Sequence, residues 1–541
     1  MTDRYLHKIH RTLLVLVLVF TAAYTARAQS DYQPYSFQFY QKLSPQLYSI
    51  QNDVHTAIKP LLPTDTLLGH YYDSLMHTSG YRSSNRLLTD HLVSSRSANS
   101  SFYADVLPNF SVGRDFSGHT TTHQTEIGVQ LGGSLGNKFY YYISGNIDGE
   151  VFPGYMNTYI SQVGVVPGQG FSHQNVPNGY SWYNETIELL YKPVKYLTIE
   201  AGKGKTFIGD GYRSMLLSDY ASPYPFFKLT GTLGNVTYMA MWTDMEDPAT
   251  TSQYGVNRRK FGVFHYLDWN VNKRLSLGFF ENIMGYFTDD NGTKRPFDWN
   301  YINPVILMQP INNSSNDPDK SLLGFTAKYK ITNDLTAYGQ FALNEFRSSE
   351  FFSSNGNYQN KYGWQLGLRG SNLFNVSGLN FLVETNTAKP YTYSARSAIE
   401  NYSEMGEPMA HPWGANFREA VGLLNYSYKR FDFSGEIDLG RYGLDPNGLN
   451  YGKNIFQVYT SPARINGNYT TQGITTNMEY AEGKVAYIIN PRYNLRLELG
   501  GLLRQERNAA FNDKTAMLTI GLKSSFNQIY TDIARFKVNT Y

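Results

Sequence analysis

The chain has 541 residues, with 47 lysines and arginines against 44 aspartates and glutamates, and it contains no cysteine. The lack of cysteine excludes disulfide bonds and a lipid anchor on a cysteine. The near balance of charge argues against a nucleic-acid partner, which would need a strongly basic surface.

The first 28 residues have the three parts of a secretory signal peptide. A cationic run ends at Arg11, an apolar run follows, and Ala26-Arg27-Ala28 places small residues where signal peptidase cleaves. We therefore predict export by the Sec route, cleavage after Ala28 and a mature chain beginning at Gln29. The basic residues of this leader outnumber its one acid by the whole formal excess of +3, so the mature chain is close to neutral.

Residues 29–100 lack regular alternation of apolar and polar residues. They predict a small helical and irregular element, which we interpret as a plug in a barrel lumen or a periplasmic cap. A partly ordered N-terminal arm is the alternative.

From residue 101 to residue 541, apolar and polar residues alternate along successive short segments. In the first hairpin, Ile127 and Val129 alternate with Glu126 and Gln130, and a tight turn is predicted at Gly136-Asn137. We count about eighteen such segments of about 9–12 residues each, which is the length of a tilted membrane strand. This pattern predicts an all-β fold, a transmembrane antiparallel β-barrel of about 18 strands.

The connections between segments are of two kinds. Some are short, such as Lys192-Pro193-Val194 and Asn490-Pro491-Arg492, and others are long and rich in Asn, Ser, Gly and Pro, as at 152–180, 385–416 and 440–474. Short turns at one end and long loops at the other are typical of outer-membrane barrels. A soluble β-sandwich or propeller would also alternate, but it would not need so many polar residues on one face of such long strands.

The run from Gly202 to Ser214, GKGKTFIGDGYRS, is the most motif-like part of the chain. Its Gly204-Lys205-Thr206 invites comparison with a nucleotide-binding loop, but that motif needs a glycine at position 199, where this chain has Ile199. No helical pattern follows. We therefore predict no nucleotide partner, and we interpret the run as a barrel strand that breaks into a glycine-shaped turn.

The same run, extended to Pro225, resembles the signature of the Wzi capsule-assembly family of outer-membrane barrels. The family motif matches Gly202, Gly209, Gly211, Ser214, Leu216, Leu217, Ser218, Ala221, Pro223 and Pro225. Further segments resemble the Bacteroidetes branch of that family, which includes RemB-like gliding-motility proteins. These are Phe297–Leu307, Asp317–Ile331 and Tyr338–Phe346.

The resemblance implies a non-enzymatic outer-membrane barrel of eighteen strands that holds surface polysaccharide at the cell. It also implies, as an alternative, a gliding-motility or surface-assembly component that uses the barrel as a docking platform. A porin-like channel is a further alternative, and an outer-membrane hydrolase is a fourth. The expected partners are outer-membrane lipid, an acidic surface polysaccharide and other cell-surface or motility proteins.

Charged and aromatic residues around the glycines are the candidate site. We expect polysaccharide binding by Lys203, Lys205, Asp210, Tyr212, Arg213 and Asp219. In this hypothesis the cations face the lumen or its mouth and bind acidic sugar groups, while Tyr212 stacks on a sugar ring. The alternative is an ion-pair network within the lumen that includes Asp210 and Asp219.

We predict no catalytic residues, no metal site and no cofactor. His119 and His123 have the spacing of a helical zinc pair, but the residues between them are three threonines, which are poor helix formers. The sequence shows no nucleophile motif.

Overall fold

The computed structural model describes residues 34–62, 71–72, 74–75, 83, 85–97, 99–251, 257–288, 293–295, 299–306, 320–345, 355–446, 448–524, 526 and 529–538. The predicted signal peptide, residues 1–28, lies outside the described residues.

Eighteen antiparallel strands of the described chain close into one barrel. They are β1 Ser100–Asp115, β2 Thr120–Leu135, β3 Phe139–Val151, β4 Gly179–Val194, β5 Leu197–Gly204, β6 Tyr224–Leu233, β7 Val236–Thr251, β8 Asn257–Asn270, β9 Leu275–Tyr286, β10 Lys320–Lys330, β11 Leu335–Glu345, β12 Lys361–Gly370, β13 Leu379–Ala388, β14 Phe417–Tyr428, β15 Phe431–Leu444, β16 Ile474–Asn490, β17 Leu495–Arg507 and β18 Asn512–Lys523. Neighbours in sequence pair throughout, and β18 pairs with β1 from Leu522 opposite Phe110 to Met517 opposite Asp115. The predicted fold class is confirmed.

The alternation of the sequence separates the two faces of the barrel wall. On β2, Ile127 and Val129 are 59% and 54% exposed, whereas Glu126 and Gln130 are each 3% exposed. The apolar residues therefore point outward and the polar residues point into the lumen. A soluble β protein buries its apolar face, so this inverted arrangement is typical of a barrel surrounded by lipid.

The two ends of the barrel differ in the length of their connections. One end, the short-turn end, has tight connections such as Gly136–Lys138, and Gly136 adopts a φ of 59° there, as the predicted turn requires. The other end, the long-loop end, carries 152–178, 205–223, 389–416 and 445–473. The predicted turn at Lys192-Pro193-Val194 lies two residues further on, because β4 continues through Val194 and Pro193 falls in a bulge opposite β5.

The N-terminal segment, residues 34–62, lies inside the short-turn end. It contains two short helices, α1 Phe37–Gln41 and α2 Ser44–Leu47. Side chains from the wall hold its backbone: Lys330 donates to the Ser49 and Asn52 carbonyls at 2.8 and 3.0 Å, and Asn270 donates to the Asp53 carbonyl at 2.8 Å.

A longer helix, α3 Gly154–Val163, lies in the loop between β3 and β4. It follows Pro153 and ends at Gly164, whose φ of 80° gives the left-handed conformation common after a helix. Its side chains Met156 and Ile160 are buried beside the lumen. No helix in the part of the chain that the structure describes is long and apolar enough to cross a bilayer.

The C-terminal tail, residues 529–538, returns into the lumen after β18. The Thr531 carbonyl accepts from the Tyr155 hydroxyl at 3.0 Å, the Asp532 carbonyl from the Trp413 indole at 2.8 Å, and the Ile533 carbonyl from Arg504 at 3.1 Å. The tail therefore runs from the short-turn end, where β18 ends, toward the long-loop end. The sequence pattern predicts alternating barrel segments as far as residue 541, whereas residues 529–538 form no strand and lie inside the lumen.

The close approach of Gly202 on β5 to the backbone of β4 allows a test of the register between these two strands. A Cβ on Gly202 would lie 1.8 Å from the Ile187 carbonyl oxygen. We expect Gly202→Ala to destabilise the barrel by about 1–3 kcal/mol, the usual cost of overpacking, measured by urea unfolding followed by electrophoresis of unheated samples. Gly231→Ala on β6 is the control, since its Cβ would meet only the Tyr196 oxygen at 3.9 Å; equal effects of the two variants would contradict the register.

Candidate functional site

The motif loop, residues 205–223, connects β5 to β6 and folds into the lumen. Its Ser-x-Leu-Leu-Ser sequence makes a local turn: the Ser214 hydroxyl donates to the Ile208 carbonyl at 2.6 Å and accepts the amides of Leu216 and Leu217, both at 3.1 Å. Leu216 and Leu217 are fully buried. The motif therefore shapes the loop and anchors it in the core.

The two glycines of the Gly-x-Gly pair allow strand side chains to approach the loop backbone. Gly209 has a φ of 138°, and a Cβ there would lie 2.1 Å from the Gln340 amide nitrogen. A Cβ on Gly211 would lie 2.2 Å from a carboxylate oxygen of Glu384. This space lets the Glu384 carboxylate accept the amides of Tyr212 and Arg213, at 3.0 and 3.1 Å.

Arg213 is the centre of a buried charge cluster. Its guanidinium donates to Glu419 of β14 at 3.0 and 3.2 Å, lies 3.5 Å from Asp438 of β15 and pairs with Asp532 of the C-terminal tail. Only 1% of Arg213 is exposed. Burial alone would lower the pKa of Arg213, but Asp532 and Glu419 hold it well above its usual value. Arg213 thus joins the motif loop to two strands and the tail.

Tyr212 is enclosed by the same cluster. Its hydroxyl lies 3.3 Å from Glu436 and 3.4 Å from Asp532, and its ring packs edge-on against Phe37 of the N-terminal segment. The Arg213 guanidinium lies over the same ring at 4.6 Å. In this structure the stacking partners of Tyr212 are therefore residues of the protein.

Asp210 ties the motif loop to the N-terminal segment. Its carboxylate accepts from the hydroxyls of Tyr48, at 2.9 Å, and Thr56, and Lys328 lies 3.9 Å away. Burial would raise the pKa of Asp210, but the Lys328 and Lys59 ammonium groups outweigh burial and lower it to about 2. The carboxylate is therefore ionised at neutral pH.

Lys205 and Asp219 form a second link. The Lys205 ammonium donates to the carbonyls of Gly168 and Asp219 at 2.7 and 2.9 Å, and the Asp219 carboxylate accepts from the Tyr530 hydroxyl at 2.7 Å. Burial lowers the pKa of Lys205 and raises the pKa of Asp219. This link joins the motif loop to the loop after α3 and to the tail.

Lys203 lies apart from the other candidate residues. It is on the outward face of β5, in line with the apolar residues Leu197, Ile199 and Ala201, and pairs with Glu185 of β4 at 2.8 Å. The structure thus brings together Lys205, Asp210, Tyr212, Arg213 and Asp219 inside the barrel, and places Lys203 on the other side of the wall.

Five residues that hold the motif loop in place were not identified from the sequence. They are Gln340, Glu384, Glu419, Asp438 and Asp532. The four strand residues share one signal, since each is a polar residue at an inward position of an alternating strand. Asp532 carries no such signal, because the tail is not a strand.

A cavity of about 200 Å³ lies beside the Arg213 cluster, between the tail and the wall. Aromatic side chains and both signs of charge meet there, among them Phe37, Tyr155, Tyr212, Glu436, Lys484 and Arg496. Among the described residues no group of three or more His, Asp or Glu side chains is placed to hold a metal ion.

No protein-family model and no curated protein matches the chain. Among solved structures it is similar to Wzi, an outer membrane protein involved in group 1 capsule assembly in Escherichia coli and a carbohydrate-binding β-barrel, with a TM-score of 0.56, 12% identity, 91% of this chain covered and 99% of that chain. It also aligns with OccK5 (OpdH) of Pseudomonas aeruginosa, with a TM-score of 0.42, 10% identity and coverage of 78% and 97%. At these identities the likeness to Wzi shows a shared fold.

The Arg213 cluster makes a clear mutational prediction. Arg213→Met leaves buried carboxylates without their cation, so we expect a loss of about 3–5 kcal/mol in unfolding free energy, measured by urea titration in lipid vesicles. Arg259→Met is the matched control, because Arg259 is outward and partly exposed and its pairs with Asp244 and Glu246 should contribute no more than about 1 kcal/mol. Equal losses of unfolding free energy in the two variants would contradict the conclusion that the Arg213 cluster stabilises the fold.

Lys59 predicts a pH dependence of stability. Its ammonium donates to the Gly209 carbonyl, and burial lowers its pKa from 10.5 to about 7. Between pH 7 and 10.5 the unfolded chain therefore binds this proton and the folded protein does not, so stability rises with pH across that window. We expect the thermal midpoint to rise between pH 7 and 10 in wild type, and to rise less in Lys59→Met. In Lys203→Met, on the outward face, the rise should persist; an unchanged rise in Lys59→Met would disprove the assignment.

Proposed function

We propose that this chain is a non-enzymatic outer-membrane barrel that associates with surface polysaccharide, and that its filled lumen serves as a scaffold. The observation that carries the proposal is the convergence of the motif loop, the N-terminal segment and the C-terminal tail on the Arg213 cluster. The proposed placement in the outer membrane is supported by the apolar outward face and by the unequal lengths of the turns at the two ends. On this basis the short-turn end faces the periplasm and the long-loop end faces the outside.

The filled lumen argues against the porin-like alternative. The motif loop hydrogen-bonds to the loop 389–416, since the Tyr393 and Tyr402 hydroxyls donate to the Met215 and Leu216 carbonyls at 2.8 and 2.7 Å. Trp413 of that loop, fully buried, donates to the tail. These contacts cross the lumen and are built from buried side chains, so a wide permanent passage would require breaking them.

The proposed association with surface polysaccharide is supported by two observations. The shared fold extends over 91% of this chain and 99% of Wzi, a carbohydrate-binding β-barrel. The motif loop, the part of this sequence that resembles that family, is the segment on which the other lumenal segments converge. Because the charged groups of the motif loop are engaged within the protein, we propose that it holds the long loops in place and that sugars meet those loops. Lys205 and Arg213 would then affect sugar binding indirectly, by holding the motif loop and the long loops in place.

A binding measurement and a conductance measurement test the proposal together. We expect isothermal titration of the purified barrel with the acidic surface polysaccharide of its own bacterium to give saturable heat, and planar bilayers to show no steady conductance, with a general porin as the positive control. Steady large conductance without polysaccharide binding would support the channel instead. Deletion that abolishes spreading but leaves cell-bound polysaccharide intact would favour the motility alternative.

A further inference from the structure

The outward face of β14–β18 contains an apolar hollow of about 1020 Å³. Its floor is a row of three glycines on adjacent strands: Gly435 of β15 lies opposite Gly483 of β16, which lies opposite Gly501 of β17. Leu424 and Leu518 continue the row on either side and form its edges. The hollow therefore lies on the surface that we place in the membrane.

The backbone does not require these glycines. None of the three has a left-handed φ, and a Cβ on Gly435 or Gly483 would meet no atom within 4 Å. A Cβ on Gly501 would be 3.3 Å from the end of the Leu518 side chain. Larger side chains would fit at Gly435 and Gly483, so the hollow at these two positions is not a consequence of strand packing.

A group of exposed cations lies on the same strands toward the long-loop end. Arg418 of β14 is opposite Arg441 of β15, and Arg507 and Lys514 are on β17 and β18. Within the described chain none of these four takes part in an ion pair. Among the described residues, one acid, Glu479 of β16, lies on this part of the outward face.

Two outward cations on the opposite side of the barrel have acidic partners. Lys203 pairs with Glu185 at 2.8 Å, and Arg259 pairs with both Asp244 and Glu246. The four cations near the hollow therefore differ from these two in having no acidic partner within the described chain.

The distance between the exposed cations and the hollow suits a single lipid, with its headgroup at the cations and its acyl chains at the hollow. Gly501 and Arg507 are about 20 Å apart along β17 at about 3.3 Å per residue. With the strand tilt of about 35–45° usual in such barrels this is about 15 Å of depth, or half of the hydrocarbon core of about 30 Å. A headgroup bound at the cations would thus place its acyl chains beside the hollow.

We propose that this face binds a phosphorylated, acylated glycolipid of the outer leaflet. Its phosphates would be held by Arg441, Arg507 and Lys514, since guanidinium groups bind phosphate through paired hydrogen bonds, and an acyl chain would lie over the glycine row. A second copy of the chain is disfavoured as the occupant, because it would bring like charges together. The inference rests on the membrane placement proposed above.

Native mass spectrometry of the full-length barrel in detergent tests this site. The probes are lipid A with its phosphates and the same lipid A after removal of both phosphates. We expect wild type to retain the phosphorylated form at least about tenfold better, a difference of about 1.4 kcal/mol. Equal retention of the two forms would overturn the proposal.

Three variants locate the site. Arg441→Gln, Arg507→Gln and Lys514→Gln combined should abolish the preference for phosphate. Gly435→Leu with Gly483→Leu should weaken retention of both lipids by filling the hollow. Arg259→Gln should match wild type. Folding of each variant is checked by its mobility in unheated electrophoresis, and a folded triple-Gln variant that keeps the preference would refute the site. A barrel that enters bilayers and binds polysaccharide but shows no preference would refute this inference alone.

Discussion

A buried guanidinium governs the interior of this barrel. Arg213 is charged and almost completely enclosed, and such a charge is tolerated only when carboxylates surround it. Glu419 and Asp438 come from the wall and Asp532 from the C-terminal tail, so the same cation joins the motif loop to the wall and to the tail. Glu384 completes the arrangement by accepting the amides of Tyr212 and Arg213.

The same physical rule organises the rest of the lumen. A barrel whose outward face is apolar must place its polar residues inside, and those residues need partners once water is excluded. Here the partners are segments of the chain: Lys330 and Asn270 hold the N-terminal segment, Arg504 holds the tail, and Gln340 holds the motif loop. The interior therefore combines these polar contacts with an apolar core around Leu216 and Leu217, and segments from both ends of the barrel fill it.

The strands of the barrel wall could be predicted from the sequence, because the alternation of apolar and polar residues is a local pattern. Ile127 and Glu126 lie next to each other, and their burial follows from strand geometry alone. The same parity also shows that Lys203 continues the face of Ile199 and Ala201, so its outward position was predictable. The partners of Arg213 were not, because Asp532 lies 319 residues away in a segment without periodicity. The glycines of the motif loop signalled close approach, and only the structure shows that Gln340 and Glu384 are what approach them.

Amide hydrogen exchange of the native protein in lipid shows most directly whether the Arg213 cluster fixes the motif loop inside the barrel. Peptides covering residues 205–223 should exchange as slowly as the barrel strands, because the amides of Tyr212, Arg213 and Leu217 are hydrogen-bonded within a buried core. Exchange of this segment as fast as that of exposed loops would show that the cluster does not fix the loop.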